Sequence, residues 1–91
     1  MVYYIYILES EREGILYIGF TDDLKRRYAE HLSGRGGRTT RMRKDWKLIY
    51  FEGYPNKPDA LGREKFLKSG SGRKYINKQL ANHFGKTKDS K

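Results

Sequence analysis

Tyr17-Ile18-Gly19-Phe20-Thr21, followed by Arg27 and His31, is the stretch that decides how this chain is read. Apolar and aromatic residues run up to a glycine that is expected to end a strand in a turn. Thr21 or Asp22 then offers a helix cap, and Leu24, Tyr28 and Leu32 recur at i, i+4 and i+8 as the apolar stripe of a helix closing at Ser33-Gly34. Arg27 and His31 are also four apart and form a second stripe about 100° from the first, so they are expected at its margin, facing a cleft together. A phenol delivered by a strand, with a guanidinium and an imidazole on the next helix, suits the handling of a phosphate group.

Upstream, Val2-Tyr3-Tyr4-Ile5-Tyr6-Ile7-Leu8 has the same β-branched and aromatic character, and the polar connection from Glu9 to Gly14 makes a hairpin of the two runs. Period-two alternation puts Tyr4 and Tyr6 on one face and Tyr17 on a face with Ile15. It leaves open which faces coincide. Downstream, residues 34–45 turn to Gly, Thr and Arg, a long basic loop of the kind that is usually functional or disordered. Lys47 to Tyr54 reads as a third strand ended by Pro55 and Pro58. Asp59 is expected to cap a second helix reaching about Ser69, in which Glu64 borders the apolar face of Ala60, Leu61 and Leu67. After Ser69-Gly70-Ser71-Gly72 a third helix carries Ile76, Leu80 and Phe84, with Gly85 as its stop. The order predicts an α/β (α+β) fold: a small three-stranded antiparallel sheet flanked by about three helices, one domain over residues 1–85 and a flexible charged tail over 86–91.

Ninety-one residues suffice for one compact core. Lys and Arg outnumber Asp and Glu by 20 to 11, and the formal charge of +9 predicts attraction to polyanions, with nucleic acid foremost. Lys25 and Arg26 on the first helix, with Arg35, Arg38, Arg41, Arg43 and Lys44 in the basic loop, are the candidate phosphate-backbone contacts. The absence of cysteine excludes disulfides, thiolate metal sites and cysteine nucleophiles, leaving oxygen or imidazole ligands for any metal. The opening apolar run reaches Glu9 far short of the roughly 20 residues of a membrane span, so a cytoplasmic location without membrane association is expected.

With these residues placed, the chain resembles the GIY-YIG endonuclease family over roughly residues 3 to 68. Tyr4-Ile5-Tyr6 stands where the first motif has Gly-Ile-Tyr, and Tyr17-Ile18-Gly19 is the second motif intact. Arg27, His31 and Glu64 follow in the order of the family's catalytic arginine, its Tyr/His position and its metal-binding glutamate. The segment from Tyr17 through Trp46 is similar to the nuclease subunit of the eukaryotic structure-specific endonuclease that resolves branched DNA, and the whole looks like the small stand-alone bacterial branch. Tyr4 replaces the first motif's glycine, and Phe20 stands where the nuclease subunit of bacterial excision repair has a lysine. Asn77 is the nearest counterpart of an asparagine that some members carry.

The resemblance implies a magnesium- or manganese-dependent DNA endonuclease. Its catalytic residues would be Tyr6, Tyr17, Arg27, His31 and Glu64, with Glu64 holding the metal. Its substrate would be branched or damaged DNA, and a protein partner is the expected source of selectivity. Which of Tyr6, Tyr17 and His31 is the general base stays open at this level. Taken singly, strand tyrosines are usually packing residues and a helix glutamate is usually exposed, here within reach of Lys68. Only the combination points to chemistry. The competing reading is a nucleic-acid-binding module that does not cut.

Overall fold

Strand β1 (Tyr3–Ser10) is the centre of a three-stranded antiparallel sheet, with β2 (Ile15–Thr21) on one side and β3 (Trp46–Tyr54) on the other. The structure, a computed structural model, describes residues 1–34 and 45–89, with side chains through Gly85. The basic loop residues Arg35, Arg38, Arg41, Arg43 and Lys44 therefore lie outside the described residues.

A central strand covered on both faces must be apolar on both, and residues 5 to 8 of β1 are buried without interruption. One face carries Ile5, Ile7 and Ile18, packed against Ala60 and Leu67 of α2 (Lys57–Leu67) and Ile76 of α3 (Gly70–Gln79). The other carries Tyr6, Leu8 and Trp46, packed with Tyr17, Leu48 and the α1 (Leu24–Leu32) residues Leu24 and Tyr28. Helices α1 and α2 thus lie on opposite faces of the sheet.

Three helix boundaries differ from the sequence expectation. Asp23, rather than Thr21 or Asp22, caps α1 by accepting from the Arg26 amide at 3.1 Å, while Thr21 remains the last residue of β2. Helix α2 begins at Lys57 after Asn56, ahead of Asp59, because Pro58 sits in the first turn, where a missing N–H costs nothing. Ser69-Gly70-Ser71-Gly72 opens the third helix rather than preceding it. Ser69 caps α3 by accepting from the Gly72 amide at 3.1 Å, and the glycines form the first turn. The expected third helix divides at Leu80 into α3 and α4 (Ala81–Asp89), so helical backbone continues past Gly85 into residues 86–89.

Gly72 is buried, and a methyl group there would overlap the carbonyl of Phe66 and the backbone of Leu67. The close approach of α3 to the end of α2 therefore requires a residue without Cβ. Gly72→Ala is expected to destabilise the fold by about 1–3 kcal/mol through this overlap. Urea unfolding of the two proteins checks the difference, and Gly70→Ala, which meets nothing within 4 Å, is the control.

Candidate active site

The register settles what alternation left open. Leu8 lies opposite Tyr17 and Tyr6 lies opposite Gly19, so both phenols are on the face covered by α1. Gly19 does not end the strand in a turn. It lies inside β2, and its role is space: any Cβ there would run into the hydroxyl and ring of Tyr6, which lie over that backbone.

Beneath this crossing the Tyr6 hydroxyl and His31 Nε2 are 2.7 Å apart, with Tyr6 1% and His31 0% exposed. The Tyr17 ring meets the His31 ring edge-on at 5.0 Å between centroids and the Tyr6 ring at 6.2 Å. Arg27 lies close enough to Tyr6 for its charge to act on the phenol, and it donates from Nη1 to Glu30 Oε1 at 2.9 Å. Four of the five predicted catalytic residues therefore form one connected group.

His31 is not at the margin of the helix contact, as its spacing suggests, but at its centre. Leu32, assigned to the apolar stripe, is 40% exposed. A buried phenol without a hydrogen-bond partner costs on the order of 1–3 kcal/mol, and turning α1 so that the imidazole rather than Leu32 meets the sheet removes that cost. Among the described residues no buried side-chain nitrogen or oxygen lacks a partner.

Burial pushes the Tyr6 phenol up to about 12, against the lowering effect of the Arg27 hydrogen bond and charge. Burial first, and then the positive charge of Arg27, pushes His31 down to about 4, with Glu30 opposing. Both groups are neutral at pH 7. Because the neutral phenol keeps its own proton and Arg27 can only donate, His31 Nε2 is the described acceptor for that proton, which leaves the ring proton on Nδ1.

Glu64 stands apart from this group, on α2 and the other face of the sheet. Its described partner is Lys68 Nζ at 3.0 Å, with 20% of the glutamate side chain and 55% of the lysine exposed. Around the helix axis Glu64 lies about 40° to one side of buried Ala60, and Arg63 about 60° to the other. Arg63 pairs with Glu52 on β3, whereas Lys57, on the flank of Glu64, has its Nζ 6.0 Å from the centre of the Phe20 ring on β2. By helix geometry Glu64 therefore lies on the same flank of α2 as Lys57, the flank that meets β2.

Lys25 and Arg26 are exposed on α1. Among the described residues Arg26 makes long ion pairs, at 3.8 Å, to Asp22 and Glu30. Sequence reasoning missed Glu30, which fixes Arg27 and whose i, i+3 spacing was a usable signal. The Trp46 ring is buried against Tyr17, with centroids 6.3 Å apart.

A family model described as the GIY-YIG catalytic domain matches residues 2–79. A UPF0213 protein of Streptococcus pneumoniae serotype 4 is 48% identical over 65 residues, which is 71% of this chain and 65% of that protein. A UPF0213 protein of Haloquadratum walsbyi is 42% identical over 67 residues, 74% of each chain. The solution NMR structure of a UPF0213 protein from Bacillus halodurans superimposes with a TM-score of 0.53 at 38% identity, covering 90% of this chain and 84% of that one. The match thus spans just under two thirds of the pneumococcal relative. These relatives fit a small stand-alone member of the family; they do not show the narrower likeness to the eukaryotic branched-DNA nuclease subunit.

The low pKa of His31 has a consequence for stability. Unfolded, the imidazole binds a proton below about pH 6.5; folded, it stays neutral down to about 4. Stability is therefore full above 6.5 and falls as pH drops from there toward 4, at up to about 1.4 kcal/mol per pH unit. Urea unfolding at several pH values in this window is expected to show the decline in the wild type and a flatter profile in His31→Gln, which cannot titrate.

Proposed function

The chain belongs to the GIY-YIG family, whose catalytic domain is a nuclease fold, and from this premise we propose that it is a divalent-metal-dependent DNA endonuclease hydrolysing phosphodiester bonds. The observation that carries the reading is the connected group of Tyr6, Tyr17, Arg27 and His31 under Gly19. Packing alone does not call for a guanidinium held between a carboxylate and a buried phenol.

Within that group the roles divide by exposure. Tyr6 and His31 are enclosed, whereas Tyr17 is half-buried, so Tyr17 is the phenol that meets the attacking water and takes its proton. Phenols are poor bases near neutral pH. A neutral phenol can take that proton only by releasing its own, and because His31 Nε2 is engaged by Tyr6, Tyr17 releases it to bulk water on its exposed side. Arg27, held by Glu30 beside the phenols, is a permanently charged, fork-shaped group suited to the non-bridging oxygens of the scissile phosphate.

The residues fit a divalent cation at Glu64. A part-exposed carboxylate whose described partner is an exposed lysine head group is a hard oxygen ligand, and magnesium commonly uses one or two protein carboxylates with water and substrate phosphate. Magnesium or manganese bound there would supply charge neutralisation at the departing 3′ oxygen. Among the described residues no group of three or more His, Asp or Glu forms a closed cage, in keeping with a ligand shell completed by the substrate.

The net charge of +9 supports DNA as the polyanion. Preference for branched or damaged DNA, a role in repair or recombination, and a partner protein that sharpens selectivity rest on the resemblance in Tyr17 to Trp46. No helix among the described residues is long and apolar enough to cross a membrane, which suits the proposed cytoplasmic location. One observation favours a second reading, a module that binds DNA without cutting: no described contact joins Glu64 to the other four residues.

A nicking assay on branched and linear DNA with magnesium or manganese separates the two. The endonuclease reading predicts cleavage that Glu64→Ala abolishes and that Arg27→Ala lowers by about 10²–10³ in kcat. Residual cleavage unchanged by Glu64→Ala sinks the metal assignment, and DNA binding without any cleavage establishes the second reading.

A further inference from the structure

Helix α2 has almost no apolar face with which to fix its own orientation. Of its residues only Ala60 and Leu67 are buried, while Leu61 and Phe66 are 41% and 37% exposed. Two small contact points on one line hold a helix against a sheet but define its rotation about its axis poorly, because neighbouring residues can roll into the same groove. Another interaction must set the roll.

The structure holds one on the β3 flank. Glu52 projects from β3 onto the α2 face and is surrounded by donors. Tyr50 and Tyr54, its neighbours on the same face, both donate their hydroxyls to it, Tyr54 at 2.7 Å. Arg63 donates from Nε at 3.0 Å and from Nη2 at 2.9 Å, a two-pronged grip of fixed direction. The Arg63 guanidinium also packs against an edge-on pair of rings, 4.6 Å from the centre of the Tyr75 ring on α3 and 5.4 Å from that of Phe66. Both partners are mostly enclosed, with 15% of the Glu52 side chain and 22% of the Arg63 side chain exposed. Burial opposes ionisation of Glu52, yet its hydrogen bonds to Arg63 and the two phenols hold its pKa below the usual carboxylate range.

Arg63 and Glu64 are adjacent and project from opposite flanks of α2. We infer that the Glu52–Arg63 clamp is a positioning device for the proposed metal site: by tying one flank of α2 to β3 it turns Glu64 on the other flank toward β2 and the phenols beyond it. The inference rests on the metal role proposed for Glu64 and adds two residues that touch neither substrate nor ion. It explains why a carboxylate so thoroughly satisfied sits on the face of the sheet opposite Tyr17 and Arg27.

The test uses Arg63→Met, which keeps the stem and removes the fork, and Glu52→Gln, which keeps the shape and removes the charge, the latter serving if the former does not fold. Two readouts are needed. The first is metal-free: nuclear Overhauser contacts between the Lys57 side chain and the Phe20 ring report the roll of α2 directly. The second is the manganese concentration for half-maximal cleavage, together with kcat at saturating manganese. The clamp predicts weakened Lys57–Phe20 contacts and a manganese requirement raised by about tenfold or more, with kcat at saturation largely recovered and Arg63→Lys partly restoring both. A merely structural pair would lower the melting temperature and leave the manganese requirement of the folded variants unchanged, which would overturn the inference. Unaltered Lys57–Phe20 contacts would also overturn it, whatever cleavage does. If the contacts weaken but manganese dependence is indifferent to both the clamp variants and Glu64→Ala, the failure lies in the metal assignment of Glu64, and the positioning role falls with it.

Discussion

The buried hydrogen bond between the Tyr6 hydroxyl and His31 Nε2 is the interaction on which the arrangement of this molecule depends. A phenol at the centre of a sheet must find a partner or cost on the order of 1–3 kcal/mol, and the nearest polar side chain is supplied by a helix 25 residues away in sequence. Satisfying it fixes the rotation of α1, drives Leu32 outward, and brings Arg27 within hydrogen-bonding reach of the same oxygen. Gly19 is the complementary constraint on the strand side, because the ring of Tyr6 lies where any side chain would be. The same contacts that hold the α1 face together also leave an enclosed, neutral imidazole beside a half-buried phenol and a guanidinium. Packing and chemistry share one set of atoms here.

On the opposite face the sheet is held differently. Ile5, Ile7 and Ile18 provide an apolar floor, and α2 contributes little apolar surface of its own to cover it. Orientation comes from an ion pair buttressed by two phenols, a device that trades strength for direction. Such a pair contributes little net stability when the desolvation of both partners is counted, but it discriminates sharply between helix rotations. The two faces communicate around β2, an outer strand whose residues alternate between them: Phe20 toward α2, Tyr17 and Gly19 toward α1.

Much of this was legible in the sequence, for definite reasons. Strands with β-branched and aromatic residues at period two, and a helix closed by Ser33-Gly34, are local signals, and the sheet, its hairpin and α1 follow from them, although the cap is Asp23 rather than Thr21 or Asp22. The motif residues at Tyr17, Ile18 and Gly19 carried the family. What failed was whatever depends on pairing across the chain. The burial of His31 was missed because an imidazole counts as polar until its partner is known, so the apolar stripe was allowed to place Leu32 inward. Gly19 was read as a turn because a glycine at the end of an apolar run looks like one; its real neighbour, Tyr6, becomes visible only with the strand register. Ser69-Gly70-Ser71-Gly72 has the composition of a linker, yet the serine caps a helix and Gly72 permits a close backbone approach. The Glu52–Arg63 pair left no local trace, since its partners lie on a strand and a helix.

The most direct measurement of the central claim is the ring-nitrogen NMR spectrum of His31 followed across pH. The account predicts a single neutral tautomer, protonated at Nδ1 and accepting at Nε2, that persists from pH 8 to near pH 4. An imidazole that titrates near pH 6.5, as in open solution, or that averages between its two tautomers, would contradict it and would remove the reason for α1, Arg27 and Tyr6 to be where they are.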